Sequence, residues 1–220
     1  MDQTKAFRSF QLKYMGFVAV LIGPVVLVAT TLIHSLPLPK TISETATIAN
    51  RVGSILPFCL GALALFSLSY SVIYAYDKTD KTYLLGMFVG FTIVALQPCR
   101  SPYIVDSRVG FLGVAQEASH IIHMIGAFIG FGCMILWILL SFRKSNREKN
   151  TQTREKIMRN RCYLWFSVAM SLSLVIYILD STGLFGENFP VMFIFECILL
   201  TFGGFACLVK GGLFFKDKIK

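Results

Sequence analysis

The chain has 220 residues, of which 55% are hydrophobic and 15% charged, and it carries a net charge of +9. A soluble domain has roughly 25% charged residues, so the polar side chains here are too few to cover a water-facing surface. One integral membrane domain spanning residues 1–220 is therefore expected. Nucleic-acid binding, the other reading of a basic chain, is set aside because the charge lies in segments flanking long apolar runs.

Six apolar stretches, approximately 14–35, 52–76, 83–98, 111–142, 162–179 and 189–215, predict an all-α bundle of transmembrane helices. A helix needs about 20 apolar residues to cross a hydrocarbon slab about 30 Å thick. The first stretch is too long for the apolar core of a signal peptide. It ends in Thr30-Thr31-Leu32-Ile33-His34, which is no small-residue cleavage site. Beyond it, Pro37 and Pro39 predict an extended exit, and Ser43 or Thr45 is placed to cap a short helix leading into the second stretch. The third stretch is the shortest and ends at Gln97-Pro98, before a loop with Arg100, Asp106 and Arg108. The fourth is longer than one crossing requires, so its first turns are expected at the interface or tilted.

The fourth stretch also carries the densest polar pattern. At 100° per residue, Gln116, Ser119, His120, His123, Gly126, Ala127 and Gly130 share one arc of roughly 120°. Its upper part is polar and its lower part small, at a spacing that lets another helix come close in lipid. The face is expected to turn into the bundle, and Gly126 and Gly130 equally offer a contact for a homo-oligomer. Glu117 lies at the edge of the stripe. In the fifth stretch Ser173, Tyr177 and Asp180 line up toward the same end, and in the sixth Glu196 sits two turns inside. An unpaired carboxylate at that depth is costly, which places Glu196 toward the interior beside a histidine, an arginine or a hydroxyl.

Lysine and arginine give the orientation. With the N-terminus in the cytoplasm, 17 of the 21 basic residues fall on the cytoplasmic side, leaving Lys40, Arg51, Arg100 and Arg108 opposite. Such a split predicts both termini inside and an even number of spans. Eight of the 17 lie in the segment 143–161, which is suited to anionic headgroups. Five of the six cysteines lie in or beside spans and read as small apolar packing. Cys99 lies in an outer loop, where a bridge to Cys59 or Cys197 stays open.

Three readings of Glu117, His120 and His123 stand side by side. They are structural hydrogen-bonding groups; or they are catalytic, an imidazole acting as general base with a carboxylate orienting it; or they hold a metal ion. The i, i+3 spacing of the imidazoles fits poorly with the i, i+4 pair of helical zinc sites.

Three patches carry a family resemblance: Ile42-Ser43-Glu44 after the loop prolines, Gln97-Pro98 closing the third stretch, and Glu117-x-x-His120-x-x-His123 followed by Gly126-Ala127-Phe128. In these the chain resembles the Frag1/DRAM/Sfk1 superfamily of six-span membrane proteins, which includes the remodelling proteins of GPI anchors, and the similar prokaryotic DUF998 membrane proteins. The resemblance implies a six-helix bundle with cytoplasmic termini, a site facing the lumen or exterior, and work on a lipid or lipid anchor. It carries over Ser43, Glu117 and His120, with His123 as an addition. The first-loop arginines of the remodelling proteins have only Arg51 as a counterpart.

The resulting expectation is a multi-pass membrane protein that binds, and in its catalytic form remodels, a lipid in an outward-facing pocket. His120 is its base, Glu117 or Glu196 the orienting carboxylate, Arg100 or Arg108 a phosphate holder, and Ser43, His34 and Asp180 further contacts. A non-catalytic adaptor or sensor working through the basic loop, and a small transporter with Glu196 and Asp180 along its path, are the alternatives. The sequence does not identify a cofactor.

Overall fold

The computed structural model describes residues 3–28, 41–44, 55–75, 77–100, 104, 108–143, 153–180 and 191–215. Six helices make up nearly all of them: α1 (Gln3–Leu27), α2 (Ile55–Tyr74), α3 (Lys78–Leu96), α4 (Gln116–Leu136), α5 (Arg154–Asp180) and α6 (Val191–Lys210). By length and composition five of them, α2 to α6, can cross a membrane. The outer surface agrees with a lipid environment: Phe58, Val72 and Trp165 leave 79%, 72% and 70% of their surface uncovered. Such residues would be a liability in water and are ordinary against acyl chains.

Each helix packs on its chain neighbours, and α1 closes the ring onto α6. The α1 and α6 axes run antiparallel, since Ser9 donates to the Gly211 carbonyl while Gly23 lies against Cys197. The first turn of α1 and the last of α6 are therefore at one end of the bundle, called here the terminal end.

Glycines allow close helix approaches at two places. A Cβ at Gly90 would overlap the Gly130 backbone and come within 2.6 Å of the Gly126 carbonyl oxygen. A Cβ at Gly204 would meet the Gly16 carbonyl at 2.7 Å. In lipid no hydrophobic force drives helices together, so such backbone contact supplies much of the association. The Gly126 and Gly130 face, which the sequence offers equally to a second copy, is filled by α3 of the same chain.

Several boundaries depart from the hydropathy reading, each for a backbone reason. Helix α3 begins at Lys78 rather than near residue 83, because Asp77 caps it, its side chain accepting from the Asp80 amide at 2.9 Å. Helix α5 begins at Arg154, so the end of the basic segment is helical; the Thr153 hydroxyl accepts from Lys156 N–H at 3.2 Å. Helix α4 begins only at Gln116. Residues 109–114 before it form a tight turn closed by a Val109–Val114 bridge, with Gly110 and Gly113 at φ of 70° and 58°. Those left-handed angles suit glycine, and so the first residues of the fourth apolar stretch are a turn, after which the helical part still runs 26 residues, Gln116–Ser141. At its other end α4 runs into a π-helical turn, Trp137–Ser141. Helix α6 stops at Lys210, short of the apolar residues 211–215.

Candidate functional site: a hollow between Ser43 and His123

The site lies at the end of the bundle opposite the terminal end, and its geometry starts where α3 stops. Pro98 holds Gln97 extended, at φ −118° and ψ 116°. Freed from the helix ladder, the Gln97 carbonyl accepts from His123 Nδ1–H at 2.6 Å. A carbonyl can only accept, so the proton is on Nδ1 and the lone pair on Nε2. His123 is buried at 2% exposure, and its Nε2 has no hydrogen-bond partner among the described residues.

Ser119, one turn earlier, ties α4 to the same corner. Its one hydroxyl proton goes to the Pro98 carbonyl at 2.8 Å, and the Gln97 side-chain amide lies 3.2 Å from the same oxygen. An amide turned to donate its NH2 there pairs with the hydroxyl, whose oxygen keeps its lone pairs, and leaves the other amide atom without a partner among the described residues.

The second wall is the segment 41–44. Ile42, Ser43 and Glu44 are buried at 2%, 6% and 6% exposure. Thr41 starts the turn, its hydroxyl accepting from Glu44 N–H at 2.9 Å, as in a capping box. The amides of Ile42 and Ser43 donate to the carboxylate of Glu196 on α6. Glu196 thus faces the interior, as its depth requires. Its partners are backbone amides, where the sequence suggested a histidine, an arginine or a hydroxyl.

Between these walls is a hollow of about 130 Å³ lined by Ser43, Leu56, Pro57, Val94, Ala95, Pro98 and His123. Below it a chamber of about 20 Å³ shares Ser43, Leu56 and Val94 and reaches Glu196. That is room for about one water.

The remaining candidates fall elsewhere. His120 is half-buried at the rim, where its Nδ1 accepts from Arg100 N–H at 3.3 Å. Its tautomer is thus opposite to that of His123, and neither Glu117 nor Glu196 is a recorded hydrogen-bond partner of it. Glu117, Arg100 and Arg108 are exposed, and none of them lines the hollow. Among the described residues no three His, Cys, Asp or Glu side chains gather as a metal ion needs. The proposed set of Glu117, His120 and His123 is therefore not assembled. His34 lies outside the described residues, as does Asp106. Asp180 is the last residue of α5, with its side chain undescribed.

On α5, Ser173 donates back to the Ala169 carbonyl at 2.9 Å, and the Tyr177 hydroxyl meets Met124 Sδ at 2.9 Å. Cys99 is a free thiol 3.7 Å from the Thr41 hydroxyl, so no bridge to Cys59 or Cys197 forms. Burial pushes its pKa up to about 12. The backbone of 41–44 and the Gln97 carbonyl are the parts of the site that residue types alone did not reveal. The Thr41-x-x-Glu44 spacing and the Gln97-Pro98 stop were their signals.

Compared with known proteins, the chain matches no family model, no curated protein and no solved structure.

Proposed function

We propose that this is a six-span membrane protein with both termini in the cytoplasm, which binds a lipid headgroup in the outward-facing hollow between Ser43 and His123. The observation that carries this reading is the hollow itself, with Ser43 and His123 on its lining against apolar walls of Leu56, Pro57, Val94 and Ala95. The orientation rests on the 17 to 4 division of basic residues about the spans. Work on a lipid is also what the resemblance to the Frag1/DRAM/Sfk1 superfamily implies.

The test is to purify the whole chain in mild detergent and quantify the lipid that comes with it. The wild-type protein retains about one lipid per chain, and His123→Leu retains little. Equal lipid in both would end the assignment to this hollow. Orientation is checked separately by cysteine labelling in intact cells at introduced sites such as Glu117→Cys, which reacts from outside.

A remodelling activity is the second reading, and one observation favours it: Ser43 and His123 line the same hollow. In that form the base is His123 instead of His120, and Glu196 positions Ser43 through the backbone. Lipid classes that change on Ser43→Ala at unchanged lipid retention support it; unchanged classes leave binding alone. A transport path through Glu196 is less well supported, because that carboxylate is engaged by the Ile42 and Ser43 amides.

A further inference from the structure

We infer that the terminal end of the bundle binds the phosphomonoester headgroup of an anionic lipid, held among cations from α1, α5 and α6. This site is separate from the hollow and rests only on the membrane reading above.

The end of α6 sets the place. Gly212 takes a left-handed φ of 78°, its N–H donating to the Val209 carbonyl at 3.1 Å, while Leu213 N–H donates to the Leu208 carbonyl at 3.0 Å. That pair of bonds is a Schellman closure, which stops the helix and turns the chain aside. Leu213, Phe214 and Phe215 follow with 42%, 43% and 37% of their surface uncovered. Apolar side chains left open at the end of a membrane helix are suited to the upper part of acyl chains.

The fold gathers cations at the same place. Lys210, in the last turn of α6, lies over the Phe142 ring with Nζ 5.2 Å from its centroid, and donates to the Phe142 carbonyl. Arg159 of α5 donates through Nη1 to the Phe215 carbonyl. Arg8 of α1 donates through Nε to the Tyr70 hydroxyl. These acceptors are neutral, so the bonds orient the cations and leave their charge in place. The charges of Lys156, Arg8 and Arg159 all act on Lys210, and each of the four side chains is half-buried.

Acids do not offset them among the described residues. Glu155 stands in the first turn of α5, beside Arg154 and Lys156. At the start of α3, Asp77 and Asp80 are matched by Lys78 and Lys81. The adjoining segments 144–152 and 216–220 are themselves net basic in sequence. Like charges held together repel, and an anion among them relieves more repulsion the more charge it brings. A phosphomonoester carries about −1.5 to −2 at neutral pH, where a phosphodiester carries a single charge. Cations at headgroup depth beside open apolar residues call for phosphate and acyl chain in one molecule, which is a lipid and not free phosphate.

The test uses the full chain purified in detergent at high salt, which washes off ionic lipid so that any lipid in the hollow is counted apart. It is then titrated at low salt with dioctanoyl phosphatidic acid, dioctanoyl phosphatidylglycerol or inorganic phosphate, read by native mass spectrometry. Phosphatidic acid should bind at one per chain, about fivefold or more tighter than phosphatidylglycerol, with inorganic phosphate far weaker. Lys210→Gln and Arg159→Gln should each weaken it about fivefold, the worth of one cation at a charged surface. Lys81→Gln, an exposed cation at the same end, should change it less than twofold, and His123→Leu should leave it unaltered. Should Lys210→Gln disturb the aromatic cluster, Lys156→Gln carries the same expectation.

Equal binding of the two lipids, or a loss on Lys81→Gln as large as on Lys210→Gln, would mean diffuse charge and overturns the inference. Inorganic phosphate binding as tightly as phosphatidic acid overturns the lipid as the occupant. Loss of phosphatidic acid on His123→Leu would move it to the hollow and overturns the terminal site. No anionic lipid bound by the wild-type chain overturns the inference and leaves the reading of the hollow standing.

Discussion

The two ends of the bundle bury polar groups with a different balance of side-chain and backbone contacts. At the terminal end, side chain meets side chain across helices: Arg8 donates to the Tyr70 hydroxyl at 2.7 Å, Gln11 to Ser69 at 2.8 Å, and Ser141 to Asp80. An aromatic chain fills the space between them. Tyr70, Trp137, Phe142 and Tyr163 meet edge to face with centroids 5.5, 4.5 and 5.2 Å apart. Each such contact is worth about 0.5–1.5 kcal/mol beyond the buried area, and Lys210 closes the cluster by donating to the Phe142 carbonyl at 3.2 Å. At the opposite end the side chains bond to backbone: His123 to the Gln97 carbonyl, Ser119 to the Pro98 carbonyl, Glu196 to the Ile42 amide. Backbone partners fix side chains in place, and beside them a hollow lined by Ser43 and His123 survives. The first end is built as a clamp and the second as a receptacle.

Removing the anchor of the receptacle should have the largest effect. Glu196→Ala leaves the Ile42 and Ser43 amides buried without an acceptor, at about 1–3 kcal/mol each. A loss of about 3 kcal/mol is expected in a thermal or denaturant melt, with hydrogen exchange rising in 41–44 and unchanged at Arg8 and Tyr70. Glu196→Gln, whose amide oxygen still accepts, keeps much of that stability. Uniform exchange along the chain would show that the two ends are not separable units.

The clamp is probed by Asp80→Ala, which takes the acceptor from Ser141 and opens a space beside the aromatic cluster. About 2 kcal/mol of stability should be lost, with lipid retention per folded chain unchanged. Retention that falls in step with this variant would mean that the ends are coupled through the helices.

How far each end can be read from sequence follows from the kind of contact it makes. The inward face of α4 was legible, because Ser119, His123, Gly126, Ala127 and Gly130 repeat at helical spacing and all are buried. The interior direction of Glu196 was legible from its depth alone. The docking of Ile42 on Glu196 was not, since it joins a main-chain amide to a side chain 154 residues away and leaves no mark on residue type. The clamp was missed for another reason. Arg8, Tyr70, Asp80 and Ser141 lie near the ends of four different apolar stretches, where polar residues are ordinary, and only the fold shows them meeting. Hydropathy also reads lipid preference, not backbone hydrogen bonding, which is why α3 and α5 begin several residues before their apolar runs.

Cys99 reports on the receptacle without touching lipid. Since only the thiolate reacts quickly, a thiol whose pKa is pushed up to about 12 stays protonated at pH 8 and inert. Iodoacetamide should modify it at least tenfold more slowly in the folded protein than in the denatured chain. In Glu196→Ala, where the segment bearing Thr41 is released, the rate should rise toward the denatured value.

The smallest effect belongs to the residue that sequence marked first. His120 and His123 are neighbours on one helix, yet one is half-buried at the rim and the other sealed at 2% exposure. His120→Ala gives up a single 3.3 Å bond from the Arg100 amide, which water can replace at the rim. Stability should change by less than about 0.5 kcal/mol, and bound lipid should be unaltered. His123→Leu should be nearly as mild in a melt, because it removes an unsatisfied nitrogen along with one hydrogen bond, yet it should empty the hollow of lipid. The pair thus separates stability from binding within a single helical turn. Lipid lost on replacing His120 and kept on replacing His123 would move the site to the rim, and with it the phosphate-holding role first suggested for Arg100.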